Sequence, residues 1–305
     1  MTSTFRAEAP TWAALLSCYA LFAAITASAP GAPAGLVYPA LAVVIAFHSS
    51  LQHEAMHGHP TRSARVNEAL VFLPLGLAYP YRRYRDLHLA HHRDARLTDP
   101  YDDPESWYVD PAAWAAAPRW LKAALTVNNC LVGRMVIGPL IGFVRFVWTD
   151  ARAMAAGRRD VILAWALHGV GAAALFLWLG YCGVSALGYG LACYGGLALI
   201  NVRSFLEHRA EERVTGRSAI VEDRGPLALL FLNNNYHAVH HAHPDLPWSA
   251  LPAKYRAHRD RFLRMNGGYA YASYWSVIRL FAFRPKEPPA HPLMTAPAGM
   301  EREAG

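Results

Sequence analysis

The sequence predicts an all-α integral membrane protein: four transmembrane helices, interfacial helices, and a cytoplasmic helical cap rich in histidine. Three observations carry this. Of 305 residues, 54% are hydrophobic and only 17% charged, against about 25% charged in an average soluble domain. The apolar residues concentrate in four stretches long enough to cross a bilayer, at about 12–29, 34–52, 161–182 and 184–202. Histidines gather in three clusters just beyond or between those stretches, and arginine is concentrated in the same segments.

The first stretch, Trp12 to Ala29, carries no charge. Arg6, the apolar run and Ala27-Ser28-Ala29 together resemble a signal peptide with its cleavage site. Pro30 follows at once and would obstruct cleavage, so an uncleaved anchor is expected. The second stretch runs through Val43, Val44 and Ile45 to Gln52, then directly into His53-Glu54-Ala55-Met56-His57. Residues 68–80 are apolar but too short to cross, and Pro74 and Pro80 interrupt them, which suits a re-entrant or interfacial piece. Tyr81-Arg82-Arg83-Tyr84-Arg85 belongs at headgroup level and leads into His88, His91 and His92. Residues 99–111 are acidic and broken by proline, and read as a loop.

Residues 121–148 are very apolar yet contain Lys122, Arg134, Pro139 and Arg145. An amphipathic helix pair lying in the membrane surface accounts for this better than a fifth span. A fifth span would also invert the two that follow. The third stretch contains Trp165, Leu175 and Trp178; the fourth is rich in Gly and Ala, which permit close helix packing in lipid. Its helix is expected to continue through Arg203 and Glu207 to His208. The third cluster, His237, His240 and His241, follows Asn233-Asn234-Asn235-Tyr236. One domain is expected over 1–285, with 286–305, rich in Pro, Ala and Glu, a disordered tail.

Orientation follows from the distribution of Lys and Arg. The links at 30–33 and around 183 have none, whereas 53–96, 119–159 and 203–224 are rich in Arg. Positive loops face the cytoplasm. Both termini and all three clusters therefore fall on the cytoplasmic side, as expected of a multi-pass protein of a bacterial inner membrane.

The clusters carry the chemistry. On a helix, positions i, i+3 and i+4 share one face, so His53/His57, His88/His91/His92 and His237/His240/His241 can each aim imidazoles at a common point. Imidazole suits iron, zinc and copper. Eight histidines exceed what one ion needs, and two metals close together is the economical reading; His208, at an inner helix end like His53, is a ninth candidate. Asn233, Asn234, Asn235, Asp86, Asp94, Asp99 and Glu207 are candidates to hold the second ring nitrogens. His258 and His291 read as ordinary polar residues, and His168, inside the third stretch, as a functional candidate or a neutral hydrogen-bonded ring.

Three rivals are weaker. His53-Glu54-Ala55-Met56-His57 is an H-E-x-x-H pattern of zinc proteases, but one zinc with three ligands would leave most of the histidines unused. A carboxylate-bridged di-iron bundle needs two Glu-x-x-His motifs, and only Glu54-x-x-His57 is present. A membrane metal carrier would need ligands along the spans, and His168 alone makes a poor pathway. Cys18, Cys130, Cys182 and Cys193 lack the spacing of a disulfide framework or zinc site. Nothing points to nucleic acid.

The set resembles the membrane fatty acid desaturase family, the histidine-box di-iron desaturase and hydroxylase superfamily, in its bacterial form. The likeness rests on an H-x-x-x-H box, two H-x-x-H-H boxes, the run Tyr-Arg-Arg-Tyr-Arg-Asp-Leu-His, Glu207-His208-Arg209 after the last span, and Asn-Asn-x-x-His before the third box, and covers about 40–255. It implies that His53, His57, His88, His91, His92, His208, His237, His240 and His241 hold two iron ions cycling between Fe2+ and Fe3+, with O2 as co-substrate. Ser204 departs from the pattern, standing where some members have a water-linked asparagine; His59 and His243 are extras outside the ligand set. The implied reaction removes hydrogen from an unactivated C–H bond. A second, adjacent abstraction gives an alkene, and oxygen transfer gives an alcohol. Zinc has no such redox chemistry. The implied substrate is a fatty acyl group of a lipid or thioester, other hydrophobic or amino-acid-derived molecules being alternatives. Box spacing is closer to desaturases than to carotenoid or alkane hydroxylases, so an alkene is expected. Cytoplasmic arginines would dock an acidic electron donor of ferredoxin or cytochrome b5 type.

Overall fold

The computed structural model describes residues 2–93 and 97–294, and the side chains of all of these but 2–6 and 93. Helix α1 (Thr2–Ser28) turns at Ala29–Gly31 into α2 (Ala34–Met56). A short α3 (Ala64–Leu70) precedes the irregular segment 71–80 and α4 (Tyr81–Arg93). Then come α5 (Pro111–Ala116), α6 (Arg119–Asn128), α7 (Leu131–Val136), α8 (Gly138–Ala155), and the long α9 (Arg159–Tyr181) and α10 (Ala186–Glu207). The remaining cap is built from β1 (Ile220–Val221), α11 (Pro226–Leu230), α12 (His237–Ala242), α13 (Leu251–Ala257), α14 (Arg259–Met265), β2 (Ala270–Tyr271) and α15 (Tyr274–Phe281).

Among the described residues, three helices are long and apolar enough to cross a membrane: Ala7–Gly31, Ala34–Met56 and Arg159–Tyr181. The expected fourth, α10, has the length at 22 residues but not the apolarity. Its glycines and tyrosines, with Asn201 and Arg203, dilute it. It lies parallel to α2 in close contact. A Cβ on Gly188 would meet the Tyr38 ring, and one on Gly196 would stand 2.7 Å from Ile45 Cγ2 and 3.2 Å from the Ala42 carbonyl. Glycine at these points lets the backbones approach. Leu15, Phe22, Leu41, Ile45, Leu175, Leu179 and Tyr189 form the core of this bundle. Trp178 donates from Nε1 to Thr26 Oγ1 at 3.0 Å, tying α9 to α1.

Segment 71–80 packs on the bundle through Val71, Pro74, Leu75 and Pro80, and is not helical because Pro74 and Pro80 interrupt it. Its free carbonyls are taken up from neighbouring helices: Tyr189 OH donates to Leu75 O at 2.7 Å, and His168 Nε2 to Leu77 O at 2.9 Å. His168 is thus a hydrogen-bonded ring that ties α9 to this segment. The expected amphipathic pair over 121–148 is three helices, α6 to α8, broken at Asn129–Cys130 and Ile137. Trp120, Val136, Leu140, Val144 and Trp148 remain exposed on them, as an interfacial layer requires.

Two expectations need correction. The cap is not wholly helical: β1 and β2 pair in parallel, Ile220 with Ala270 and Val221 with Tyr271. Strands of two residues leave no period to read in a sequence. The described part of the tail is also not loose. Lys286 N donates to Asn129 O, Val109 N to Pro289 O and His291 N to Val109 O, at 2.8–2.9 Å. His291 is buried beside Thr98 and Tyr108 and not solvated as expected. Residues 295–305 lie outside the described ones.

Candidate metal centre

All nine predicted histidines converge at one end of the bundle, in two groups. His53, His57, His88, His92 and His240 form one; His91, His208, His237 and His241 form the other, and within each group one ring nitrogen per residue lies within 4.8 Å of the rest. The groups abut: the His92 and His241 rings stack at 4.2 Å.

The division corrects the expectation that each box serves one point. In α4, His88 and His92 join the group of five while His91 joins the group of four; in α12, His237 and His241 join the four while His240 joins the five. Helix geometry explains it. Positions i and i+4 lie nearly in line, whereas i+3 and i+4 are about 100° apart. Each H-x-x-H-H box thus serves both groups, and the i, i+4 pair His53/His57 serves one.

Inside the groups, Nε2 atoms face each other without intervening donors. His57 and His88 approach to 3.1 Å, His92 and His240 to 3.1 Å, and His91, His208, His237 and His241 form a chain at 3.0 Å steps. His53 Nε2 is buried without a partner. The opposite nitrogens are held from outside. His88 Nδ1 donates to Glu105 and His91 Nδ1 to Asp103, each at 2.8 Å; His237 Nδ1 donates to Asn234 Oδ1 at 3.2 Å. Asn234 in turn donates to Glu207 at 3.2 Å, and Ser218 Oγ lies 3.3 Å from His208 Nδ1. A ring whose Nδ1 keeps its proton presents a lone pair at Nε2, the state a metal requires.

Burial enforces neutrality. It lowers the His57 imidazole to about 2 and His92 to about 3, helped by neighbouring rings, and holds His208, His237, His240 and His241 well below the ordinary value. His91 is the exception. Burial lowers it, but Glu105 and Asp103 outweigh this and carry it to about 9.

Asp103 and Glu105 escaped sequence reasoning. They sit in the acidic loop read only as a loop, 12 and 17 residues from their histidines. Asp103 shapes that loop, accepting from Thr98 N at 2.7 Å and Glu105 N at 2.9 Å. Of the residues proposed to orient imidazoles, Asn234 and Glu207 do so. Asn233 and Asn235 bond backbone carbonyls, Asp86 pairs with Arg85, Asp99 caps its own loop, and Asp94 lies outside the described residues. His59 bonds Glu8 and stays apart from both groups, as does His243. Glu54, the would-be protease base, accepts from Trp248 N at 3.0 Å and joins neither group.

A cavity of about 850 Å³ adjoins the centre. It follows α10 from Gly196 and Leu197 to His208, a rise of about 18 Å at 1.5 Å per residue. Ile45 lies against Gly196 at one end and Lys286 against His208 at the other, and Leu77, Arg134, Glu207 and Glu287 also line it.

Two beta-carotene ketolases of Paracoccus are similar: that of strain N81106 / MBIC 01143 is 24% identical over 72% of this chain and 76% of its own, and that of strain PC1 is 23% identical over the same shares. The family profile for fatty acid desaturases matches residues 28–275. That match runs from the end of α1 into α15 and takes in every histidine of both groups with the helices that carry them, so the chain belongs to the fatty acid desaturase family and is a membrane oxidoreductase.

Proposed function

We propose that this protein is an O2-dependent di-iron enzyme that introduces a double bond into a long acyl chain drawn from the membrane. The observation that carries this is the convergence of nine imidazoles in two abutting groups beside a cavity that His208, Asp103 and Glu105 line. The donor set fits iron: imidazole nitrogens facing one another, ring protons fixed from outside, and an orphaned buried His53 Nε2. His53, His57, His88, His92 and His240 would hold one ion, and His91, His208, His237 and His241 the other. Bound iron supplies the redox chemistry with O2 that side chains lack.

The chain's own residues orient and exclude. Asp103, Glu105, Asn234 and Ser218 fix the rings, and the Arg203–Glu207 pair at 2.8 Å closes the centre where α10 ends. Desaturation converts a CH2–CH2 unit, O2, two electrons and two protons into a CH=CH unit and two waters. The electrons come from an external ferredoxin-like or cytochrome b5-like carrier. Arg256, Arg261 and Arg264, exposed on α13 and α14, suit an acidic partner.

The same reading puts α10 through the membrane beside α2, because their parallel contacts give them equal depth, and its exposed Leu187 and Leu191 would face lipid. Both termini and the centre would face the cytoplasm. The domain would run over 1–285, with the described tail residues packed on it.

A second reading has a specific support. The ketolase likeness favours oxygen transfer to a carotenoid-like hydrocarbon. Incubation under labelled O2 with a reductase system separates the two. An alkene two hydrogens lighter, unlabelled, is expected; label retained in an alcohol or ketone without alkene would make this an oxygenase.

A further inference from the structure

Arg134 is out of place for an interfacial arginine. It lies on a helix whose neighbours face the membrane surface, yet it is only 4% exposed and lines the cavity. Its guanidinium is held flat: Nε donates to Asn128 O at 3.0 Å, the Trp107 ring lies 3.9 Å away and the Phe205 ring 5.6 Å. Gly138 leaves room for it, since a Cβ there would stand 2.8 Å from Arg134 Cδ. Lys286 reaches the same place, its Nζ 5.8 Å from the Phe205 ring and donating to the His208 carbonyl at 2.5 Å.

Among the described residues, neither cation is in ion-pair contact with a carboxylate. Glu207 is taken by Arg203 at 2.8 Å. Glu287 lines the same cavity but forms no ion pair with either, and its Oε2 is buried without a hydrogen-bond partner among the described residues. A buried guanidinium beside a buried amine, with no carboxylate in ion-pair contact, is a costly arrangement that a bound anion would relieve. Trp107 and Phe205 offset only part of that. The guanidinium's terminal nitrogens remain as donors, in the fork geometry that receives an oxyanion.

We propose that Arg134 and Lys286 form an oxyanion subsite that receives the acidic head of an amphipathic substrate whose apolar chain lies along α10. This rests on the proposed acyl-chain reading and deepens it: the substrate is a carboxylate- or phosphate-headed long-chain molecule, not a hydrocarbon. The cavity's two ends support it. About 18 Å of helix separates Gly196 and Leu197 from His208 beside the cations, a length that suits an extended chain.

The test is equilibrium binding of radiolabelled palmitate, methyl palmitate and hexadecyl phosphate to the full chain in lipid nanodiscs, against empty nanodiscs. Palmitate or hexadecyl phosphate should bind at least tenfold more tightly than the ester, and which of the two binds identifies the head. Arg134→Gln and Lys286→Met should each weaken the charged probe at least tenfold and leave the ester unchanged, and Arg134→Lys should restore part of the loss. Displacement by inorganic phosphate would support the subsite while assigning it to a free oxyanion. Equal affinity for acid and ester, equal loss of both in the variants, or no binding of either charged probe overturns the proposal. Should a variant lose its helical circular dichroism, the acid-to-ester ratio of the native protein decides alone. Iron content of the same preparation is read in parallel. Two irons with no head preference sinks only the subsite, whereas absent iron sinks the di-iron reading whatever binds.

Discussion

His208 is the histidine that no box contains, and its Nε2 lies 3.0 Å from those of both His91 and His237. Because it belongs to the group of four and His240 to the group of five, their loss should be separable. His208→Ala and His240→Ala should each cost about one of two bound irons, the double variant both, and His258→Ala none. Metal analysis of purified protein checks this; equal loss at all three positions would remove the assignment. A second expectation follows from burial. The unfolded chain protonates its histidines near the ordinary 6.5, whereas folded His57 and His92 resist down to about 2 and 3. Below 6.5 the unfolded state therefore binds more protons, and folding stability falls with pH through that window. His91, raised to about 9, acts oppositely. Its contribution is complete below 6.5 and fades as pH rises through 9, but one raised ring faces six lowered ones. Metal-free protein should melt lower at about pH 5.5 than at about pH 7.5, and a higher melting temperature at the acidic value would contradict it. The nine imidazoles were legible because helical spacing is written in the sequence. Asp103 and Glu105 were not, since the turn that brings them to His91 and His88 is set by Thr98, Ser106 and backbone geometry.

Helix α10 carries the centre's position through its seat on α2. Gly196 leaves no room for a methyl group: Ile45 Cγ2 at 2.7 Å is branched and the Ala42 carbonyl at 3.2 Å is backbone, so neither swings aside. Gly196→Ala should therefore cost about 1–3 kcal/mol, read as a lower melting temperature in detergent, while Gly190→Ala, with nothing within 4 Å, should not. Equal effects would mean that helix propensity, not contact, governs this segment. Close packing was readable from the glycines of the fourth stretch. The same glycines dilute the hydropathy that marked it as a span, so composition argues both ways; the structure adds the close parallel contact with α2. The short elements were less legible: β1 and β2 pair across some 50 residues, and no local signal announces that.

Across the whole molecule, the links at 30–33 and 182–185 lie together, Gly183 sitting 3.6 Å from the Pro30 ring by a Cβ placed there. The histidine groups lie at the far ends of α2 and α10. If the centre faces the cytoplasm, a cysteine introduced at Ala32 should react with an impermeant maleimide in intact cells, and one at Gly157 only after the membrane is opened. Cys18, Cys182 and Cys193 are buried and give little background, and the part-exposed Cys130 is replaced by serine beforehand. Reversed labelling would invert the topology and put the centre outside the reducing compartment. Hydropathy and charge made the membrane class and the single-sided clusters legible. The inward turn of Arg134 was not, because an arginine in an apolar helix reads as a headgroup contact until its surroundings are known.

The segment from Lys286 to His291 runs as a belt along the cavity. Glu287, Pro288 and Pro289 form part of its wall, and backbone bonds buckle the belt to Asn129 and Val109. A chain cut after Arg284 would keep all nine imidazoles but leave that chamber open to bulk water. Reducing equivalents would then leak: reductant and O2 should still be consumed, with peroxide released and the yield of oxidised lipid per electron falling. An unchanged yield would show that the belt is ornamental.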